Sequence, residues 1–321
     1  MFKLLSLPKP LLASLCAILA VTFFSINDML IKFLSGDYAL HQIVLLRSTI
    51  GIILLLAVFT PISGSFSVLK TKRLGMHLLR GCCVVFANLT FFLGLAELQL
   101  AETTAIFFIS PFLITIFSVI FLKEYVGAHR WTALFIGLAG VMIILRPGTD
   151  AFKLAALLPM AAAFGYASLH MLTRHIGKTE SALTMSFYIQ MTFIIICLGF
   201  GAFASDGRYA PEESGALNFL FREWAPLAQE DWPVFIAIGS ASAFGGYFIS
   251  QAYRLSEAAY VAPFEYFAMP LSIFWGVVIF SEIPDFPVLI GILLVISSGL
   301  YVVWREKVRK RTAAQMPRFR R

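Results

Sequence analysis

The sequence predicts an all-α membrane protein of ten transmembrane helices, arranged as two inverted five-helix repeats. Three observations predict it. Of the 321 residues, 59% are hydrophobic and only 13% are charged, against ~25% charged in soluble domains. The apolar residues gather into about ten runs, each near the ~20 residues that an α-helix needs to cross a bilayer core. The second five runs echo the first five. Because five is odd, the two sets must cross in opposite senses, as in secondary transporters that bind substrate at the repeat interface.

The first run, roughly residues 11–34, follows Lys3 and Lys9. It is too long for the 7–15-residue apolar core of a signal peptide, and Leu15 before Cys16 is too large for a lipoprotein signal. It therefore reads as an uncleaved first span. The others fall at roughly 39–60, 75–96, 101–122, 127–145, 152–173, 182–204, 232–253, 258–281 and 286–304. Short linkers make most neighbours antiparallel. One set of helix ends carries Lys3, Lys9, Lys70, Lys72, Arg73, Lys123, Arg130, Arg174, Lys178, Arg254 and the basic tail. The opposite ends carry Lys32, Arg146, Lys153, Arg208 and Arg222. Positive charge concentrates on the cytoplasmic side, so both termini are expected in the cytoplasm, which requires an even number of spans; the bacterial inner membrane is what the family resemblance given below implies.

The predicted organisation is a first five-helix repeat over 1–148, a second over 149–304 and a basic cytoplasmic tail over 305–321. The tail is expected against anionic headgroups. The acidic loop 205–231 is expected outside, on the periplasmic side. Its stretch Leu217 to Phe221, with Trp224, reads equally as an interfacial helix or a solvated connector. Topology accounts for the net charge of +7 better than nucleic acid does, so no nucleic-acid partner is expected. Cys16, Cys82, Cys83 and Cys197 all lie in apolar runs and read as small buried hydrophobes, with neither disulfide nor metal implied. No Walker loop, GxSxG or HExxH occurs, so neither an enzyme nor an ATP-driven pump is expected, and no cofactor. The bilayer and a small-molecule substrate are the expected partners; nothing in the pattern specifies an oligomeric state.

Two segment pairs carry the echo. Ala20 to Ser25, leading to Lys32, resembles Ala162 to Ala167, leading to Arg174. Phe121-Leu122-Lys123-Glu124 resembles Ile279-Phe280-Ser281-Glu282. Before these, Pro111 and Pro270 hold nearly equivalent places in the fourth and ninth spans, and Pro263 adds a third break. Proline removes a helical hydrogen bond, and membranes tolerate this where protein or a cavity serves the freed carbonyls. The broken spans therefore point to a central cavity. The small residues of span 8 (Gly239, Ser240, Ser242, Ala243, Gly245, Gly246) and Gly137 and Gly140 of span 5 predict close helix packing.

Ionisable groups at membrane depth are costly and face a cavity or a partner. At ~1.5 Å per residue, Arg47 lies roughly 12 Å below the outer face and Glu265 roughly 10–12 Å above the inner one. In a ~30 Å core they are close enough in depth to pair or to share a ligand, with Asp28 in vertical reach of Arg47. Arg47 is expected to hold an anionic or polar substrate group. Glu265 is the expected proton-binding group, since removing a carboxylate from water favours its neutral form. A static ion pair ordering the helices is the competing reading. Asn27, Asn88 and Gln190 are polar groups that bind substrate or bridge helices. Tyr266 and Trp275, on the span of Glu265, would suit a flat organic solute. Arg80 is expected to snorkel at the inner face, and His170 to be a satisfied interfacial histidine.

These residues resemble the drug/metabolite transporter superfamily, ten-helix EamA type. The resemblance rests on Ser25-Ile26-Asn27-Asp28 with Lys32, Leu46-Arg47, His77 to Gly81, Phe121 to Glu124, Leu145-Arg146-Pro147-Gly148, and Ala262-Pro263-Phe264-Glu265-Tyr266. It implies a proton- or gradient-coupled carrier working by alternating access. Asn27-Asp28, Arg47 and Arg80-Gly81 are most similar to the bacterial branch with riboflavin carriers and S-adenosylmethionine uptake carriers. Riboflavin uptake is the narrowest expectation, S-adenosylmethionine uptake the first alternative, and amino-acid or drug efflux the next. A non-transporting membrane scaffold is the alternative of another class, and a pair of inverted repeats with midspan charges argues against it. The long acidic loop departs from the compact family pattern.

Overall fold

A computed structural model of the chain describes residues 8–62, 66–123, 125–146, 153–177, 179–213 and 215–315. Lys3, Glu124, Pro147, Gly148 and Lys178, named above, and residues 316–321 of the basic tail lie outside the described residues. Among those described, all regular structure is helical, as hydrocarbon demands: a helix satisfies its backbone polar groups within itself. Seven helices are long and apolar enough to cross a membrane. Three shorter apolar stretches, Trp131–Leu145, Phe264–Phe280 and Phe286–Tyr301, accompany them.

The chain opens with α1 (Lys9–Leu34), whose first turn carries Pro10, where no helical donor is needed. Next comes α2 (Leu40–Leu54), which loosens into a π-helical turn over Leu55–Phe59. The hairpin of α3 (Leu74–Glu97) and α4 (Leu100–Phe107) follows. The fourth span, expected over 101–122 with a break at Pro111, is interrupted at Phe108 and Ile109, and α5 (Ser110–Leu122) starts afresh with Pro111 in its first turn. The missing proline N–H falls where a helix start needs none. Then come α6 (Ala128–Leu145), α7 (Leu157–Ile176), and α8 (Ala182–Ala204), which is capped by Ser181 Oγ accepting from the Thr184 amide at 3.0 Å.

The loop after α8 holds a short helix, α9 (Ala216–Phe221), before α10 (Trp232–Leu255). The ninth run is broken as the fourth is. A single turn over Ala258–Val261 passes into a 3-10 stretch, Ala262–Phe267, containing Pro263, and then into α11 (Ala268–Phe280). The last helix, α12 (Phe286–Gln315), continues well past the expected end near 304. The Arg, Lys, Ala and Gln residues there are strong helix formers.

Two features repeat between the halves. Helices α5 and α11 are both 13 residues long and both end in a residue with φ of 55°, Lys123 and Ser281. Left-handed backbone is uncommon for non-glycine residues. Packing repeats as well: α1 lies on α10 and α3 on α7, while α2 pairs with α8 and α6 with α12. At the α6–α12 crossing a Cβ added to Gly140 would stand 2.6 Å from the Gly291 carbonyl oxygen. The approach is therefore backbone to backbone.

The loop between α8 and α10 is fastened rather than loose. Gln42 Nε2 donates to Ala225 O at 2.6 Å and Gln42 Oε1 accepts from the Ala225 amide at 3.1 Å. Tyr38 donates to Asp231 at 2.6 Å, Glu97 accepts from the Ala216 amide at 2.6 Å, and Arg222 donates to the carbonyls of Ser35 and Gly36. Phe219 of α9 is buried. Of the two expectations for Leu217–Phe221, the helix is the one found, and it packs on α2 and α3.

Candidate functional site

A cavity with about 150 Å³ of water-accessible space lies inside the bundle. Its walls come from α1, α2, α3 and α4 in the first half, and from α7, α8, α10 and the broken stretch leading into α11 in the second. Helices α6 and α12, paired at the periphery, contribute nothing to it.

One polar region centres on Arg47, which is 2% exposed. Its Nη1 and Nη2 both donate to Asn88 Oδ1 at 3.1 Å, and its guanidinium lies 4.7 Å from the Phe193 ring centre and 5.9 Å from that of Phe92. Cation–π contact helps to hold the charge without a counter-ion. Asn27 Nδ2 donates to Asp28 Oδ1 at 3.0 Å, and Gln190 Nε2 donates to Ser242 Oγ at 3.1 Å.

The other region centres on Glu265, 4% exposed. Tyr166 donates to its Oε2 at 2.8 Å and Tyr253 donates to its Oε1. The 3-10 stretch brings this carboxylate to the wall, because its prolyl break turns the backbone away from a continuous helix. Asp28, Arg47 and Glu265 make no ion pair among the described residues. Of the two geometries expected for Arg47 and Glu265, the direct pair is not formed.

Several buried polar atoms on the wall have no protein partner: Ser25 Oγ, Asn27 Oδ1, Arg47 Nε, Ser186 Oγ, Gln190 Oε1 and both ring nitrogens of His170. Buried polar groups are nearly always hydrogen-bonded, so such a cluster around a cavity fits a ligand better than it fits packing.

Six expected residues, Asn27, Asp28, Arg47, Asn88, Gln190 and Glu265, thus line one cavity. Tyr266 and Trp275 do not. Tyr266 stacks on Phe108 at 5.0 Å and packs against Gly299 of α12, while Trp275 joins the core around α1 to α3. Two readings are corrected. Arg80 does not snorkel: it is 1% exposed and donates to Thr173 Oγ1 at 3.0 Å and to Met185 O at 3.4 Å. His170 is not a satisfied interfacial residue, being 1% exposed and unpartnered. Sequence reasoning also missed Tyr166 and Tyr253. A signal existed, since the offset that aligns Lys32 with Arg174 also aligns Asp28 with His170 and Phe24 with Tyr166.

The end of the bundle where α1 finishes is bolted. Lys32 Nζ meets Glu282 Oε1 at 2.6 Å and donates to Leu98 O at 3.0 Å, and Glu282 Oε2 accepts from the Leu100 amide at 2.9 Å. At the opposite end His77 Nε2 lies 3.3 Å from Glu180 Oε2, and Glu180 also receives Thr71 at 3.0 Å and, at its backbone carbonyl, Arg254 at 3.2 Å.

The profile of the EamA-like transporter family matches residues 11–146. A riboflavin transporter of Vibrio cholerae serotype O1 is 28% identical, over 94% of this chain and 96% of its own. An S-adenosylmethionine uptake transporter of Rickettsia prowazekii is 25% identical over 90% and 92%. A pseudopaline exporter of Pseudomonas aeruginosa is 23% identical over 88% and 92%. A solved crystal structure covers 93% of this chain and 98% of its own with a TM-score of 0.68 at 17% identity, a likeness of fold.

Proposed function

We propose, from the premise that residues 11–146 belong to the EamA-like transporter family, that the whole chain is a secondary carrier. It moves a small organic metabolite across the bacterial inner membrane by alternating access between two inverted five-helix halves. The observation that carries this reading is the cavity between the halves, walled by unpartnered polar atoms and by Asp28, Arg47 and Glu265, which form no ion pair among the described residues. A scaffold has no use for desolvated charges held open in this way, since each is costly at membrane depth. Arg47 is assigned to the substrate's acceptor or anionic group, and Glu265 to a coupling proton.

Riboflavin uptake is the narrow reading. It draws support from the Vibrio cholerae relative and from the aromatic walls. S-adenosylmethionine uptake is the second reading, supported by the Rickettsia relative. The match to an exporter makes direction part of the test. Purified protein in sealed vesicles is to be assayed with labelled riboflavin and labelled S-adenosylmethionine, inward and outward, with and without a pH gradient. Riboflavin flux above protein-free vesicles is expected. Flux of S-adenosylmethionine alone overturns the narrow reading, and flux of neither, extended to a metabolite panel, overturns the carrier.

A further inference from the structure

We infer that His170 is a specificity-determining contact of the cavity, bonding the edge of a flat nitrogen heterocycle through a ring nitrogen. The inference deepens the carrier reading and takes its binding site from it. His170 borders the cavity from α7, and neither Nδ1 nor Nε2 has a protein partner. An imidazole buried to 1% exposure without partners loses its hydration and gains nothing in return. The arrangement makes sense where a ligand supplies the missing bonds.

The ring is held for this role. Tyr253 stacks on it with centroids 3.9 Å apart and planes 22° apart, and Tyr166 meets it at 4.1 Å and 75°. Both tyrosine hydroxyls are committed to the two oxygens of Glu265, so neither serves the imidazole. The clamp fixes the ring plane by its face and leaves the in-plane nitrogens buried without a protein hydrogen bond.

A neutral imidazole offers one donor and one acceptor in that plane. The two point well apart around the ring, so one of them meets a given ligand edge, and a lactam or aminopyrimidine edge, carrying both a donor and an acceptor, can answer whichever does. The neighbouring wall suits a flat body: Phe107 lies edge-on to Tyr166 at 5.1 Å, and Phe91 edge-on to Phe107 at 5.2 Å. Offset and edge-to-face contacts of this kind favour another aromatic ring. A polyol or an aliphatic acid would leave that wall unused.

The test is equilibrium binding to the full chain in detergent, with no gradient. Probes are riboflavin and lumichrome, the second having the ring without the sugar chain, read by flavin fluorescence quenching; ribitol, the chain without the ring, and S-adenosylmethionine are read by calorimetry. His170→Phe keeps the stacking on Tyr253 and deletes both nitrogens. His170→Gln retains a donor and an acceptor. His170→Phe should weaken the ring-bearing probes about tenfold or more, and riboflavin and lumichrome by the same factor, while His170→Gln stays within about threefold of wild type. The melting temperature of unliganded His170→Phe should hold or rise, because an unsatisfied polar group has been removed.

Equal affinity in His170→Phe, a lowered melting temperature or misfolding of that variant, ribitol binding as tightly as riboflavin, or wild-type protein that binds no ring-bearing probe would each overturn the inference. Absence of flux in vesicles sinks the carrier reading and leaves this binding result standing. Normal flux with His170→Phe at wild-type affinity sinks the inference and leaves the carrier.

Discussion

Glu265 takes a hydrogen bond on each oxygen from a tyrosine and meets no cation within ion-pair distance among the described residues. That suits a group that gains and loses a proton during a cycle better than one locked in a static pair. Glu265→Gln should therefore reduce uptake to background or abolish its pH dependence, at unchanged protein level in the membrane. Wild-type uptake with the same pH profile would refute the coupling role. Arg47→Ala should raise the KM for the transported substrate about tenfold or more, and Arg47→Lys should fall between, since lysine keeps the charge and loses the planar fork. Loss of Arg47→Ala from the membrane would instead mean that the guanidinium mainly orders α2 against α3. The charged and amide residues of the cavity were legible because each interrupts an apolar run. The tyrosines and His170 were not, because amphipathic rings are ordinary in such runs. Tyr266 was misleading for a geometric reason. A 3-10 stretch turns about 120° per residue, so the neighbour of a cavity-facing Glu265 looks elsewhere, here into α12.

At the scale of elements, the outer bolt explains a charge that topology alone did not. Lys32 sits on the side poor in basic residues because Glu282, Leu98 O and the Phe280 ring receive it. The bolt joins the ends of α1 and α11 to the α3–α4 turn, across the two halves. If outward opening requires it to break, then Lys32→Ala and Glu282→Ala should each raise the open fraction about fivefold, for a loss of roughly 1 kcal/mol. A cysteine at the buried cavity position Thr104, in a background lacking the four native cysteines, should then react several-fold faster with an impermeant maleimide added outside. The double variant should add little to either single one. Unchanged labelling would show that the bolt does not gate. The broken fourth and ninth spans were legible from Pro111, Pro263 and Pro270, because proline acts locally. The bolt was not, because its members lie far apart in sequence and nothing local signals their meeting.

At the scale of the whole molecule, exchanging the halves maps the packing onto itself. The α1–α10 contact becomes α7–α3, while α2–α8 and α6–α12 map onto themselves. Together with the matched ends of α5 and α11, this supports the reading of two five-helix units related by a two-fold axis in the membrane plane. An odd unit repeated in the opposite sense returns the chain to its starting side, so the two termini must share a face. The distribution of Lys and Arg predicts that this face is the cytoplasm. A fluorescent protein fused after Arg321 should therefore fold and emit, and alkaline phosphatase fused there should be inactive. Phosphatase inserted at Glu212, in the loop fastened over the outer ends of α1 to α3, should be active. An active C-terminal phosphatase with an inactive one at Glu212 would turn the whole topology over and leave the repeats intact, whereas activity at both sites would require an even number of crossings after the loop instead of three. Activity at both sites would break the second set of five crossings, and the exchange-symmetric packing could no longer arise from inverted repeats.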